Sequence, residues 1–131
     1  MSYNQIGILL GICAVLIILL TWKKIHNPYL KSLWKSGLLL FSLYATLLVL
    51  IEIRWHFISE FTSKFDTNGN GFVDLSEYSE EAIEAMNRRA YVANVRNYAP
   101  LTLAALSSII GFSYLVSDVM VLRLQNKEFT K

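Results

Sequence analysis

The chain has 131 residues, 54% of them hydrophobic, and a net charge of +2, with a mean hydropathy of +0.41. Soluble domains are nearer ~45–50% apolar, so this composition argues against an ordinary soluble domain. A single cysteine excludes an intramolecular disulfide, and basic residues without interleaved aromatics exclude a nucleic-acid-binding patch.

The first predicted element is residues 6–22, seventeen residues without a charge. A bilayer takes roughly 17–25 apolar residues as a helix, so the segment reads as a short span. Trp22 and Lys23 can lengthen it by interfacial anchoring and snorkelling. A cleaved signal peptide would carry basic residues before its apolar run. Here the basic residues follow it, and the helix is expected to be retained. Gly7 and Gly11 make a G-x-x-x-G pattern that permits close helix approach. Cys13 lies inside this span and reads as a small apolar residue.

Residues 36–51 form the second predicted span, bounded by Lys35 and Glu52 and anchored by Trp34. After Gly37 there is no Pro or Gly before residue 65. One helix could therefore run over residues 36–65, about 45 Å, and leave the bilayer. Glu52, Arg54 and His56 lie at its outer end. Glu52 and His56 are one turn apart and are expected to pair. A lone His56 without a second ligand reads as part of an interfacial polar cluster rather than as a haem, quinone or metal site.

Residues 66–77 read DTNGNGFVDLSE. Asp66 opens this stretch, Asn68 and Asn70 follow at alternate positions, and Gly71 stands where a sharp turn is needed. Phe72 offers a main-chain carbonyl, Asp74 a direct or water-mediated ligand, and Glu77 a closing bidentate carboxylate. This spacing resembles the calcium loop of the calmodulin-like EF-hand superfamily at every diagnostic position. With its flanking helices the resemblance covers about thirty residues. An Asn/Gly/Asp-rich turn that binds nothing would use similar residues, but it would not require Glu77 at the twelfth position. The resemblance implies Ca²⁺ as the ligand. It implies that Asp66, Asn68, Asn70, Phe72, Asp74 and Glu77 hold the ion. Val73 is then the residue that pairs with a second loop.

Other details fit a helix-loop-helix. Phe57, Phe61 and Phe65 recur every fourth residue, as on the apolar face of an incoming helix. Asp74 and Glu77 have capping-box spacing and are expected to cap the outgoing helix. Glu80, Glu81 and Glu84 are early in that helix and Arg88, Arg89 and Arg96 late, an order that suits the helix dipole. Only Asp66, Asp74 and Glu77 bring ligand charge, so affinity on the order of 10⁻⁵–10⁻³ M is expected. EF-hands usually come in pairs, and no second loop is present. Asn94, Asn97 and Tyr98 lack the central Gly and the closing Glu. An unpaired hand implies a partner.

Residues 97–117 form the third predicted span, and the apolar character continues to Leu122. Pro100 is expected in the first turn of this helix, where no N–H bond is lost. Ala104 with Ser108 and Ser107 with Gly111 have small-xxx-small spacing. Asp118 is the only acid in the segment. An intramembrane acid is a functional candidate by default, but its place near the helix end favours pairing with a loop lysine or a partner over proton transport.

The expected fold is an all-α membrane protein with three transmembrane helices and one extramembrane EF-hand helix-loop-helix between the second and third. Residues 1–53 hold two spans and their short basic connection, 54–98 the EF-hand segment, and 99–131 the third span and a basic tail. The connection carries Lys23, Lys24, Lys31 and Lys35 and no acid. The tail carries Arg123, Lys127 and Lys131 against Glu128. Between the second and third spans there are eight acids and five bases. By the positive-inside rule the connection and the C-terminus are cytoplasmic. The N-terminus and the EF-hand are then extracytoplasmic, in periplasm, exterior or lumen.

No P-loop, G-x-S-x-G, H-E-x-x-H or C-x-x-C motif occurs, and His26 and His56 fall on opposite expected sides. The expected function is therefore non-catalytic. The leading expectation is a calcium-binding accessory subunit of a larger membrane protein complex. Its partners would be other membrane subunits, with a homo-oligomer as the alternative, and the lipid bilayer. The alternative function is a calcium-responsive regulator of a channel or transporter. A stand-alone small transporter has only one isolated acid to support it.

Overall fold

The computed structural model describes residues 1–128; Lys131, counted above in the basic tail, lies outside them. Three helices make up most of these residues. Helix α1 is Tyr3–Thr21, prolonged by a 3-10 turn, Trp22–Lys24. Helix α2 is Pro28–Ser63 and α3 is Glu80–Glu128.

Each helix starts for a local reason. Ser2 and Gln5 form a reciprocal capping box at α1. At α2 the Asn27 side chain accepts from the Tyr29 N–H, and Pro28 takes the first-turn position where its missing N–H costs nothing. At α3 the Ser79 hydroxyl accepts from the Ala82 N–H at 3.1 Å, and Glu80 and Glu81 fill the first turn.

All three helices are long and apolar enough to cross a membrane. At 1.5 Å per residue, α1 (19 residues) is about 28 Å long, α2 (36) about 54 Å and α3 (49) about 74 Å. Only 11–17% of the most apolar window of each helix is buried inside the protein. The remaining apolar surface points outward, as on a helix whose solvent is lipid.

Helix α1 packs chiefly on α2, and α2 packs on α3 along a longer front. Gly7 and Gly11 supply the first contact. A Cβ on Gly11 would lie 3.0 Å from the Ala45 Cβ, and one on Gly7 2.7 Å from a Leu48 methyl. The second contact uses small and hydroxylated residues. The Ser36 hydroxyl donates to the Gly111 carbonyl, and Ser107 is fully buried. Leu48, also fully buried, is the largest side chain enclosed.

Three expectations need correction. Pro100 does not begin a helix; it lies twenty residues inside α3. The outgoing helix and the third span are one rod. Proline costs about 3 kcal/mol or more in a helix interior, yet the rod continues through it, held on one side by Arg96 to Glu52 and on the other by Gly111 to Ser36. The Thr102 hydroxyl, at 3.2 Å from both the Tyr98 and Ala99 carbonyls, donates into the same turn. The second correction follows from the first. Arg88, Arg89 and Arg96 are mid-helix residues, so they do not complement a helix C-terminus. Arg88 pairs with Glu84 one turn away, and Arg89 and Arg96 lie over the Trp55 ring at 5.7 and 5.0 Å. Third, α2 stops at Ser63, so Phe65 follows the helix, though its ring still meets Phe61 edge-on at 5.6 Å.

The Asp66–Glu77 loop as candidate metal site

Between Ser63 and Glu80 the chain reverses direction. Two glycines carry the turn, Gly69 with φ +70° and Gly71 with φ +90°. A side chain at either would be strained even though the space is open.

Carboxylates organise the loop from its two ends. One Asp66 oxygen accepts from the Gly69 N–H at 2.8 Å and the Asn70 N–H at 3.2 Å, and the other accepts from the Gly71 N–H at 2.7 Å. Asn68 and Asn70 each accept a backbone N–H two residues on, the Asx-turn habit of these residues. Their amide groups both donate to Asp74 Oδ2, at 2.7 and 2.8 Å. Glu77 closes the circle. Its Oε1 accepts from the Thr67 hydroxyl at 2.6 Å and from the Thr67 and Asn68 N–H groups at 2.8 and 3.0 Å. Its Oε2 accepts from the Asp74 N–H at 2.9 Å. The Thr67 hydroxyl bond, then the backbone donors, lower the Glu77 pKa to about 2. Thr67 is the residue that motif spacing misses. Its signal is a hydroxyl directly after the opening Asp66.

The capping box between Asp74 and Glu77 forms, but it caps a single 3-10 turn, Leu75–Glu77. Tyr78 is extended there, and the outgoing helix begins afterwards under Ser79. The expectation that Asp74 caps the outgoing helix is corrected accordingly.

The donor set is all oxygen: carboxylates from Asp66, Asp74 and Glu77, carboxamides from Asn68 and Asn70, and the Phe72 carbonyl. Hard divalent cations take such sets. Among the described residues, however, no three acids, His or Cys form a ready-made metal cluster. Each carboxylate is turned to loop amides. A cation held here would draw Glu77 away from Thr67, and Asp74 away from the two carboxamides. Phe72 is 75% exposed. Val73 is half-buried and pairs with no strand among the described residues.

Below the loop the two helices meet at small residues. Thr62, Ala82 and Ala85 are buried, and the Thr62 hydroxyl donates to the Ile58 and Ala85 carbonyls. Phe57 and Phe61 do not pack into this contact. They are 66% and 51% exposed and line an open cleft of about 720 Å³ beside α3.

Further down, Glu52 gathers all three helices. It accepts from Asn4 and Gln5 of α1 and pairs with Arg96 of α3 through both carboxylate oxygens. The expected Glu52–His56 pair is not formed. His56 instead lies 4.0 Å from Glu60, both largely exposed. A fork of two N–H donors on Arg96 outcompetes one imidazole for the same carboxylate. At the opposite end Asp118 accepts from the buried Ser32 hydroxyl and lies 3.8 Å from Lys35, the lysine pairing expected of it.

No protein-family model matches the chain, and no curated protein and no solved structure shows significant similarity to it.

Proposed function

We propose that this chain is a non-catalytic calcium-binding accessory subunit of a larger membrane protein complex. The observation that carries the proposal is the Asp66–Glu77 loop. It sets six oxygen-bearing ligand positions on one short turn, fixed at the ends of two long helices. The complete EF-hand spacing supports Ca²⁺ as the ion, held by Asp66, Asn68, Asn70, Phe72, Asp74 and Glu77. The lysine-rich connection between α1 and α2 supports a cytoplasmic place for that end. The acid-rich segment with the loop is then extracytoplasmic. Calcium is abundant there, so a weak site stays filled and the ion braces the cap. The exposed Phe57, Phe61 and Tyr91 support a partner, because a patch of this kind marks an interaction surface.

The test is recovery of the assembly from native membranes in mild detergent, with calcium or with chelator, for the natural chain and for Glu77→Gln. Loss of fixed-stoichiometry partners in chelator and in the variant is the expected result. A normal assembly without bound calcium would sink the proposal.

A calcium-responsive regulator of a channel or transporter is the second reading. It is favoured by one observation: α2 and α3 run unbroken from the loop into their apolar segments. A change of helix angle at the loop would be carried into the bilayer. Partner activity that is flat across calcium concentration would exclude it.

A further inference from the structure

The cleft beside Phe57 and Phe61 does not end at the bilayer. A second cleft, of about 470 Å³, continues it downward past the shared Tyr91 to Ile51, Ala99 and Leu103. None of the lining comes from α1, which packs on α2 elsewhere through Gly7 and Gly11. The hairpin of α2 and α3 therefore has one groove open along its length. From Ala85 to Leu103 the groove follows α3 for about 27 Å at the helical rise.

We infer that this groove receives one helix of a partner subunit, a helix that spans the bilayer and continues straight out of it. The inference rests on reading the chain as part of an assembly. The groove crosses the level of Glu52 and Arg96, where the apolar stretches end, and this decides the occupant. An acyl chain fills only the part within the hydrocarbon. A soluble peptide fills only the part outside, because its ends and unpaired backbone groups are excluded from lipid. An unbroken helix satisfies both halves. It must present an apolar stripe about five turns long. Arg54 adds a charge requirement. It lies on the rim of the upper cleft, at the level where the bilayer gives way, and has no ion pair or hydrogen bond among the described residues. The incoming helix carries an acid opposite it.

Photocrosslinking with the full chain in native membranes tests this. Benzoylphenylalanine replaces Leu103, Tyr91 or Phe61, one at a time; all three are groove residues, Tyr91 and Phe61 exposed and Leu103 half-buried, and thermal unfolding checks that each variant folds. Each adduct is mapped by mass spectrometry. The expected result is one polypeptide captured from all three positions, at points in order along one segment. Those points should be about twelve and about seven residues apart, matching the spacing along α3 from Leu103 to Tyr91 and on to Glu84, the α3 residue beside Phe61. Leu20, 78% exposed on α1, should not capture that segment. Arg54→Glu should lose the Tyr91 adduct. Lipid adducts alone at Leu103, different polypeptides at Leu103 and Phe61, a second copy of this chain, or no adduct would each overturn the inference. Calcium binding by the purified chain is read in parallel. Calcium binding without ordered adducts overturns the groove assignment alone; ordered adducts without calcium binding overturn the calcium proposal alone.

Discussion

Glu52 and Arg96, forty-four residues apart, join α2 to α3 through two parallel N–H to carboxylate bonds. Asn4 and Gln5 bring α1 to the same carboxylate. Both charged side chains are mostly buried, at 24% and 17% exposure. Arg96→Ala leaves Glu52 without its cation, and Trp55 loses a guanidinium from its face. The expected loss is about 2–4 kcal/mol, between the cost of an exposed and a fully buried pair. Thermal unfolding in detergent micelles measures it. Glu52→Gln with Arg96→Met should recover part of the loss.

The α1–α2 contact makes a graded prediction. At Gly11 the obstructing atoms are the Ala45 Cβ, the Tyr44 ring and the Ala45 backbone, whereas at Gly7 they are the ends of the Leu48 and Tyr44 side chains. Gly11→Ile should cost about 1–3 kcal/mol and loosen α1. Gly7→Ala should cost less, because the flexible ends can shift. Equal effects at both sites in the same unfolding assay would contradict this packing.

Glu77 sets the acid response of the loop. Its pKa of about 2 lies below the ordinary 4.5, so the ionised carboxylate favours the closed loop. That contribution is complete above pH 4.5, declines as pH falls through the window, and is gone below about 2. Glu77 bonds only within its own loop, so the loop loosens without global unfolding. Amide exchange at Thr67 and Asn68 should accelerate across this window, and Glu77→Gln should flatten the profile.

In the proposed function, Thr67 competes with the cation for Glu77. Its hydroxyl and N–H hold the same Glu77 oxygen. Thr67→Val removes the larger of the two restraints and should raise the Glu77 pKa toward 4.5. It should also tighten calcium binding, because less must be broken to free the ligand. Calorimetric titration measures the change. A weaker site would show that Thr67 supports the bound form instead.

Asp118 is a structural acid. Asp118→Asn keeps a hydrogen-bond acceptor for Ser32 and loses the ion pair with Lys35. Lys35 is half exposed, so the expected loss is about 0.5–1 kcal/mol. Proton-coupled transport in reconstituted vesicles that depends on Asp118 would contradict this role.

The apolar runs announced three membrane-length helices because length and hydropathy are local properties. The missing Pro and Gly between residues 38 and 63 announced the unbroken α2 for the same reason, and Gly7 and Gly11 announced a packing face. Pro100 misled, because its preference for first turns is statistical and its neighbours are not. Whether two helical stretches share one axis depends on what holds each side. Here Arg96 is pinned to Glu52 one turn before the proline, and Gly111 is pinned to Ser36 three turns after it. Glu52 was assigned to His56 because a single helix offers only near neighbours; the better partner was on a strand of sequence that only tertiary packing brings close. Within the loop, the turn and its two positive-φ glycines were legible in the Asn/Gly/Asp pattern. The hydrogen bonds of Thr67 and the placement of the capping box on a 3-10 turn were not, because both follow from the closed ring of side chains.

The contact between Ser32 and Asp118 spans 86 residues. A ribosome making about 5–20 residues per second needs on the order of ten seconds to cover that interval. Once Ser63 has been added, α1 and α2 are already made while Lys35 still lacks its acid. On the proposed membrane orientation, Lys35 is a bare positive charge while the first hairpin takes its orientation, and it gains its acid only once Asp118 has been added. In that reading one residue serves the orientation of the hairpin early and its ion pair late, and the delay is set by the length of chain between Lys35 and Asp118.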